Sequence, residues 1–452
     1  MTVRRPSRSA VLGYLKKAGW FVAGLAVLQA VFFSLLVAGA AVPDKPIVDH
    51  LAAAVRAGTY GPSGAPDRMG GISDTFTECV VVGTGLGWSD PNPFARAVFM
   101  PRIANCQAGA GQILTLAKGQ ALPPGSVSGY YKYWSGYTVL TRPVLALFGL
   151  DGLRIVSGAM LLFSGLAAVA SLAKRTAKLA AVGILLPLLL ASNVMSTPST
   201  SFSQAISISA IFLGIAISSW AASKSLAWAM GGVALSAALF CYVDLLTTPA
   251  VPWALSTAAV AGVTFARSRK LRETALAAAA AVIMWPVAFG FTWAARWLIA
   301  ALFLGFDQTV AFIRSNVDFR SSGAHAGVDK SFGAPTLANW HFWLDHVATA
   351  RFVVVAAGIV VVAALLTAWL RHGWRRAVAG VVIAAAAVVV PVWYEALNNH
   401  SQIHSFFTYR GIPAAVGVAL FGALLAAGQP DRGWAASLRR RASVPFFRQR
   451  KR

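Results

Sequence analysis

The sequence predicts an all-α polytopic membrane protein of about ten transmembrane helices, with the N- and C-termini both on the cytoplasmic side. Three observations carry that reading. Of 452 residues, 57% are hydrophobic and only 12% charged, roughly half the charged fraction of an ordinary soluble domain. Mean hydropathy is +0.64, and apolar stretches near the roughly 20 residues that cross a bilayer as helix recur along the chain. The basic residues, finally, collect in alternate connecting segments. A soluble enzyme, a disordered chain and a collagen-like fibre are excluded.

The apolar segments lie at about 18–42, 152–173, 179–196, 204–221, 225–243, 250–266, 274–293, 352–370, 377–394 and 411–428. If the N-terminus is inside, the inward segments hold Arg4, Arg5, Arg8, Lys16 and Lys17; Lys174, Arg175 and Lys178; Lys224; and Arg267, Arg269, Lys270 and Arg272. Arg371, Arg375 and Arg376 follow, and then a tail with Arg432, Arg439, Arg440, Arg441, Arg448, Arg450, Lys451 and Arg452. Only Glu273 and Asp431 oppose them. Lys and Arg near span ends set orientation, so this segregation supports N-in, C-in and an even number of crossings. The net charge of +24 is then a topology signal and no nucleic-acid partner is expected, although the tail is suited to lying on anionic lipid. The organisation is a basic cytoplasmic N-terminus (1–17), one membrane domain (18–428) and a basic cytoplasmic tail (429–452).

The first span follows a basic region and ends in Val37-Ala38-Gly39-Ala40-Ala41, as a signal peptide would, but its apolar run exceeds a signal core and reads as a retained anchor. The outward segments at about 43–138 and 305–350 are too long to be connectors, and the first should contain short helices. The stretch from Trp293 to Asn316, interrupted by Arg296, Asp307 and Arg314, reads as a helix lying in the outer interface. No internal repeat is evident. Cys79 and Cys106 share the first outward loop, where an oxidising face permits a disulfide, whereas Cys241 sits in a span and should stay a thiol.

Of the 15 acidic residues, all but Glu273 and Asp431 lie outside or at outward helix ends. Of the seven histidines, all but His372 do. Three clusters stand out there. In Asp74-Thr75-Phe76-Thr77-Glu78-Cys79 a helix would put Asp74 and Glu78 on one face, suiting a general base with a neighbouring carboxylate, or a divalent metal site. A solvated helix face is the plainer alternative, and Asp44 and Asp49 are rival carboxylates. In Tyr130-Tyr131-Lys132-Tyr133-Trp134-Ser135-Gly136-Tyr137, followed by Arg142, the rings offer a platform for sugar faces and the guanidinium a grip on phosphate; the same rings would serve equally as an interfacial belt. In Glu395 to His404, followed by Tyr409 and Arg410, His400 and His404 stand at i and i+4 without the glutamate of a zinc protease. That set suits an anionic headgroup or a hydroxyl-rich ligand, or else a hydrogen-bonded hairpin. Asp244, at an outward helix end, is a further candidate, with Arg142 or Arg410 as partner.

The long acidic loop after span one, and the re-entry through YWSGYTVLTRPVLALFGLDGLRIVSG toward basic residues, resemble the glycosyltransferase C superfamily. DTFTE, YWSGYTVLTRP, YVDLLTTP and NHSQIH with FFTYR are similar to stretches of a group of bacterial multi-spanning membrane proteins. The short acidic pair usual immediately after span one in the superfamily is absent. The resemblance implies a bacterial inner-membrane glycosyltransferase that moves a sugar from a polyprenyl-phosphate donor to an envelope glycan or glycolipid acceptor on the outer side. It implies no definite cofactor, a divalent metal being an option at Glu78. Asp74 would be the base with Glu78 beside it; Arg142, His400, His404 and Arg410 would face the phosphate; Tyr133, Trp134 and Tyr137 would form the sugar or lipid platform, with Asp244 and Tyr409 as further binding residues. The rival expectations are a transporter or flippase, and a polymerase or ligase of lipid-linked glycans. The four patches should converge on one outward cavity.

Overall fold

The computed structural model describes residues 8–60, 75–103, 108–321 and 323–428. The chain begins with α1 (Arg8–Ala40), whose part from Gly19 onward is apolar and long enough to span. The long segment that follows carries α2 (Asp44–Arg56), α3 (Thr75–Gly83), α4 (Pro93–Phe99), β1 (Pro101–Ile103), α5 (Gly109–Ala117) and β2 (Val127–Gly129). In α2 the residues Ile47, Val48, Leu51 and Ala52 form one buried stripe, the helical period of an amphipathic segment lying on a core. Asn92 caps α4, its Oδ1 accepting from the amides of Phe94 and Ala95, while Pro93 supplies a pre-set φ at the first turn. The short helices agree with expectation. The antiparallel pair of β1 and β2, with Arg102 opposite Ser128, is a small addition to an otherwise helical architecture: three residues per strand leave too weak an alternation to see in sequence.

Next comes α6 (Thr138–Ala173), which breaks at Gly149, φ +67°. The break releases the carbonyl four residues earlier, and His50 Nδ1 donates to it, 2.7 Å from Leu145 O. The segment expected to span at 179–196 is instead broken: α7 (Lys178–Gly183) and α8 (Leu186–Leu190) meet a 3-10 turn (Val194–Ser196) and α9 (Thr197–Thr200) at a 73° bend. The rest of the bundle is α10 (Phe202–Ala222), α11 (Leu226–Val243), α12 (Ala250–Ser268), α13 (Leu271–Leu304), α14 (Phe306–Ser321), α15 (Ala334–His346), α16 (Ala350–His372), α17 (Trp374–Ala384), α18 (Val389–Ala396), α19 (Asn398–Ile403), α20 (Ser405–Thr408) and α21 (Gly411–Ala427).

Among the described residues eight helices are long and apolar enough to cross a membrane, or nine if the bent pair counts as one span. The expected span at 250–266 is α12, which is not among them. It is buried almost throughout, so protein rather than lipid surrounds Ser256, Thr257 and Thr264. The outer helices show the opposite pattern: Ile155, Leu162 and Phe163 on α6 and Phe352, Val355 and Ile359 on α16 are exposed, the arrangement expected where lipid replaces water. The stretch from Trp293 to Asn316 is not one helix: as far as Leu304 it is the end of the 34-residue α13, and from Phe306 it belongs to α14. Within α13, Arg296 finds carbonyl partners in the segment between α1 and α6: Nε donates to Tyr133 O at 3.0 Å and Nη2 to Val98 O at 2.8 Å.

Glycines let the central helices meet backbone to backbone. A Cβ on Gly422 of α21 would lie 2.5 Å from the Gly380 carbonyl of α17. Small residues at such crossings are what hold helices together in lipid. Gly422→Leu should therefore lower the thermal midpoint of the detergent-solubilised protein by several degrees, read by size-exclusion melting, as overpacking of about 1–3 kcal/mol or more requires.

Candidate functional site

The loop between β2 and α6 is tied onto α13. Trp293 Nε1 and Trp297 Nε1 both donate to Lys132 O, at 2.7 and 3.2 Å, and Trp134 Nε1 donates to Thr292 O at 2.6 Å. At the loop's end Gly136 N donates to Tyr242 O at 2.7 Å, where any side chain on Gly136 would strike the Tyr242 ring. With its backbone pinned from outside, the loop presents Tyr130, Lys132 and Tyr133 to a cavity of about 220 Å³. Arg102 from β1, Arg320 from α14, and His400 and His404 from α19 and its end complete the polar lining, with Thr77, Leu245, Thr247, Phe319 and Phe407 beside them. A smaller crevice of about 10 Å³, lined by Tyr133, Trp134 and Asp244 among others, adjoins it through Tyr133.

The lining is cationic. Arg320 Nη2 donates to Tyr133 Oη at 2.6 Å, and its Nη1 to the Asn316 carbonyl and side chain at 3.1 and 3.0 Å. Lys132 Nζ stands 5.0 and 5.6 Å above the Tyr130 and Tyr133 rings. Neither Lys132 nor Arg320 has a carboxylate within ion-pair distance among the described residues. Burial first, then Arg320 and Arg102, push the Lys132 ammonium down to about 7. Burial, then Arg320 and Lys132, hold His404 down to about 4, and burial with His404 as neighbour keeps His400 well below the ordinary range. Both imidazoles are thus uncharged near neutral pH. His400 donates from Nε2 to Leu246 O at 2.7 Å, which leaves Nδ1 as its acceptor, and the buried Nδ1 atoms of His400 and His404 have no partner among the described residues.

Asp244 sets up that contact. Its carboxylate accepts from the Thr247 amide at 2.6 Å and the Thr247 hydroxyl at 2.5 Å, closing a turn in which Leu246 takes φ +67° and offers its carbonyl to His400. Burial raises Asp244 to about 6, against those hydrogen bonds. It is a structural acid next to the cavity, and no arginine partners it among the described residues.

Of the residues expected from sequence, Tyr133, His400 and His404 meet at the cavity, and Trp134 and Asp244 at the adjoining crevice. Arg142 does not line it. Buried under α1, it donates to Gly39 O, Gly85 O and Val42 O and pairs with Asp44 at 2.6 Å. Asp44 also pairs with Arg96, and Asp49 with Lys45, so neither rival carboxylate is poised as a base. Glu78 is buried and paired with Arg154 at 3.1 Å, Tyr137 Oη bonds Thr84, and Tyr409 and Arg410 converge on the Asn193 side chain at the bend. These four also lie outside the cavity lining. Cys79 is disulfide-bonded and Cys241 is free. Asp74 and Cys106 lie outside the described residues; Thr77, three residues after Asp74, does line the cavity. Among the described residues no three potential metal ligands of the His, Cys, Asp or Glu type cluster.

Sequence reasoning missed Arg102, Lys132 and Arg320 as site residues. Lys132 sat in plain view between tyrosines, and Arg320 in a segment already recognised as too long for a connector; Arg102 carried no signal. No known protein family, curated protein or solved structure matches the chain.

Proposed function

We infer that the protein is an integral-membrane glycosyltransferase that takes a sugar from a polyprenyl-phosphate donor and passes it to an envelope acceptor on the outer side of the membrane, with N-in and C-in topology. One observation carries the reading: Lys132 and Arg320 are desolvated with no carboxylate at ion-pair distance among the described residues, beside aromatic faces and uncharged imidazoles, and buried cations in that state favour an anion. A lipid-linked sugar phosphate supplies one, with hydroxyls for the imidazole acceptors and a ring face for Tyr130 or Tyr133.

In the transfer, an acceptor oxygen bonds to the anomeric carbon as the bond from that carbon to the phosphate oxygen breaks. The acceptor proton goes to a carboxylate, for which Asp74 is the preferred residue, and the departing phosphate keeps its charge against Lys132 and Arg320. A single displacement of this kind inverts the anomeric centre. Asp74→Asn should cut turnover of a polyprenyl-phosphate sugar about 10²–10⁴-fold with normal expression and unchanged donor binding; wild-type turnover by the variant would remove Asp74 from the mechanism.

The 73° bend at Asn193 favours a second reading, since broken spans are a mark of carriers. Movement of a labelled lipid phosphate across proteoliposomes without transfer would select it.

A further inference from the structure

A second basic concavity of about 920 Å³ lies at the far end of the bundle, lined by Arg269, Lys270, Arg272, His372, Arg375 and Arg376 over an apolar floor of Phe265 and Leu271. Leu271 and Trp293 are both on α13, and at 1.5 Å per residue they stand about 33 Å apart, so the two cavities face opposite sides of an apolar slab of about bilayer thickness. The lining comes from the α12–α13 and α16–α17 connections, distant in sequence. The tendency of basic residues to gather in inward loops explains a charge in each connection, but not their closing on one concavity.

Three features go beyond that tendency. Arg269 adopts φ +58°, a left-handed conformation that glycine would take without strain, and its guanidinium rests 5.3 Å above the Phe265 ring. Arg376 is locked inward, Nε donating to Ala426 O at 2.6 Å and Nη2 to Gly428 O, and His372 Nε2 bonds Ala427 O. Burial, with Arg376 as like-charged neighbour, holds Arg269 below its ordinary value. The nearby carboxylate of Glu273 is taken by Lys270 at 2.9 Å, so Arg269, Arg272 and Arg375 have no carboxylate within ion-pair distance among the described residues. Around this end Trp369, Leu370 and Trp374 are exposed, the aromatic and apolar collar of a helix end set in a bilayer surface.

From this convergence of crowded cations, apolar floor and bilayer collar we propose that the concavity is a binding site for the phosphodiester headgroup of an anionic phospholipid. The phosphate sits among Arg269, Arg272 and Arg375, and the start of the acyl chains lies on Phe265 and Leu271. A free phosphate shares the charge but has no use for the floor or the collar. The site is independent of the transferase reading and does not share a residue with the other cavity.

The test uses the full chain in detergent with defined additions of dioleoyl-phosphatidylglycerol, dioleoyl-phosphatidylcholine or inorganic phosphate, read by native mass spectrometry and thermal midpoint. Expected is retention of phosphatidylglycerol in preference to phosphatidylcholine, with a rise in midpoint, both weakened in Arg272→Gln and Arg375→Gln by roughly five-fold in affinity for each cation removed. Arg371→Gln, on the same end but outside the lining, should bind as wild type does and so separates the site from general surface charge. Equal retention of both lipids, undiminished preference in the double variant, or an equal loss in Arg371→Gln would overturn the proposal. So would inorganic phosphate raising the midpoint as much as phosphatidylglycerol does. Should the double variant fail to fold, the single variants carry the measurement.

Discussion

Replacing Lys132 and Arg320 by Met together is expected to lower turnover of a polyprenyl-phosphate sugar by about 10²–10³-fold, the loss seen when preorganised charge stabilisation of a leaving oxyanion is removed. Arg320 also holds Tyr133 Oη, so Tyr133→Phe, which deletes that hydrogen bond and leaves the charge, should cost far less. The pH dependence gives an independent check. A lysine lowered to about 7 is charged below that value and neutral above it. A sugar phosphodiester stays singly anionic over the same range, so only the protein titrates. Donor affinity should therefore fall as pH rises through about 7, up to the higher value that Lys132 acquires with the anion bound. Lys132→Arg should flatten that fall, because a guanidinium keeps its proton. A flat profile for wild type would separate Lys132 from donor binding.

Arg142→Met is expected to be the most damaging single substitution for stability. It takes a donor from three carbonyls, leaving Val42 O without its guanidinium while Gly85 O keeps Arg96 and Gly39 O keeps the Val42 amide, and it removes a partner from Asp44. Breaking a buried pair from one side costs about 3–5 kcal/mol. Asp44 keeps Arg96 and is 27% exposed, which places the loss toward the lower end. Arg142→Lys should recover little, since an ammonium on a flexible stem cannot reach this spread of acceptors. Lys45→Met is the contrast: its pair with Asp49 is on the surface, Lys45 being 86% exposed, and its removal should stay within about 1 kcal/mol. Thermal melting of the purified variants, with expression level as a second readout, distinguishes the two cases.

These two outcomes concern arginine and lysine residues that the sequence presents in the same way. Arg142 follows an aromatic cluster at the mouth of a span, the position of a phosphate grip, yet it serves as a staple. Whether a guanidinium meets carbonyls or a cavity depends on where the end of α1 and the Gly85 turn come to rest, and both are remote in the chain. Lys132 became a site residue because three donors from α13 hold the backbone around it, and Arg320 because α14 returns over the same loop. His400 and His404 were legible together, since their i, i+4 spacing is local. Their uncharged state was not, because it follows from burial and from cations supplied by α14 and the aromatic loop.

The sequence by itself determined that the chain is a helical, multi-spanning membrane protein, where most of its apolar segments lie, and that the long segment after the first span carries short helices. Hydrophobic burial in lipid and helical periodicity are local properties, additive along the chain. The tertiary structure alone decided that the segment from 178 to 200 bends, that α13 runs on past Trp293, and which cations are spent on carbonyls and which are left facing a cavity. Those outcomes rest on hydrogen bonds and charge contacts between residues scores to hundreds of positions apart, and their energies depend on distance and burial that no one-dimensional pattern contains.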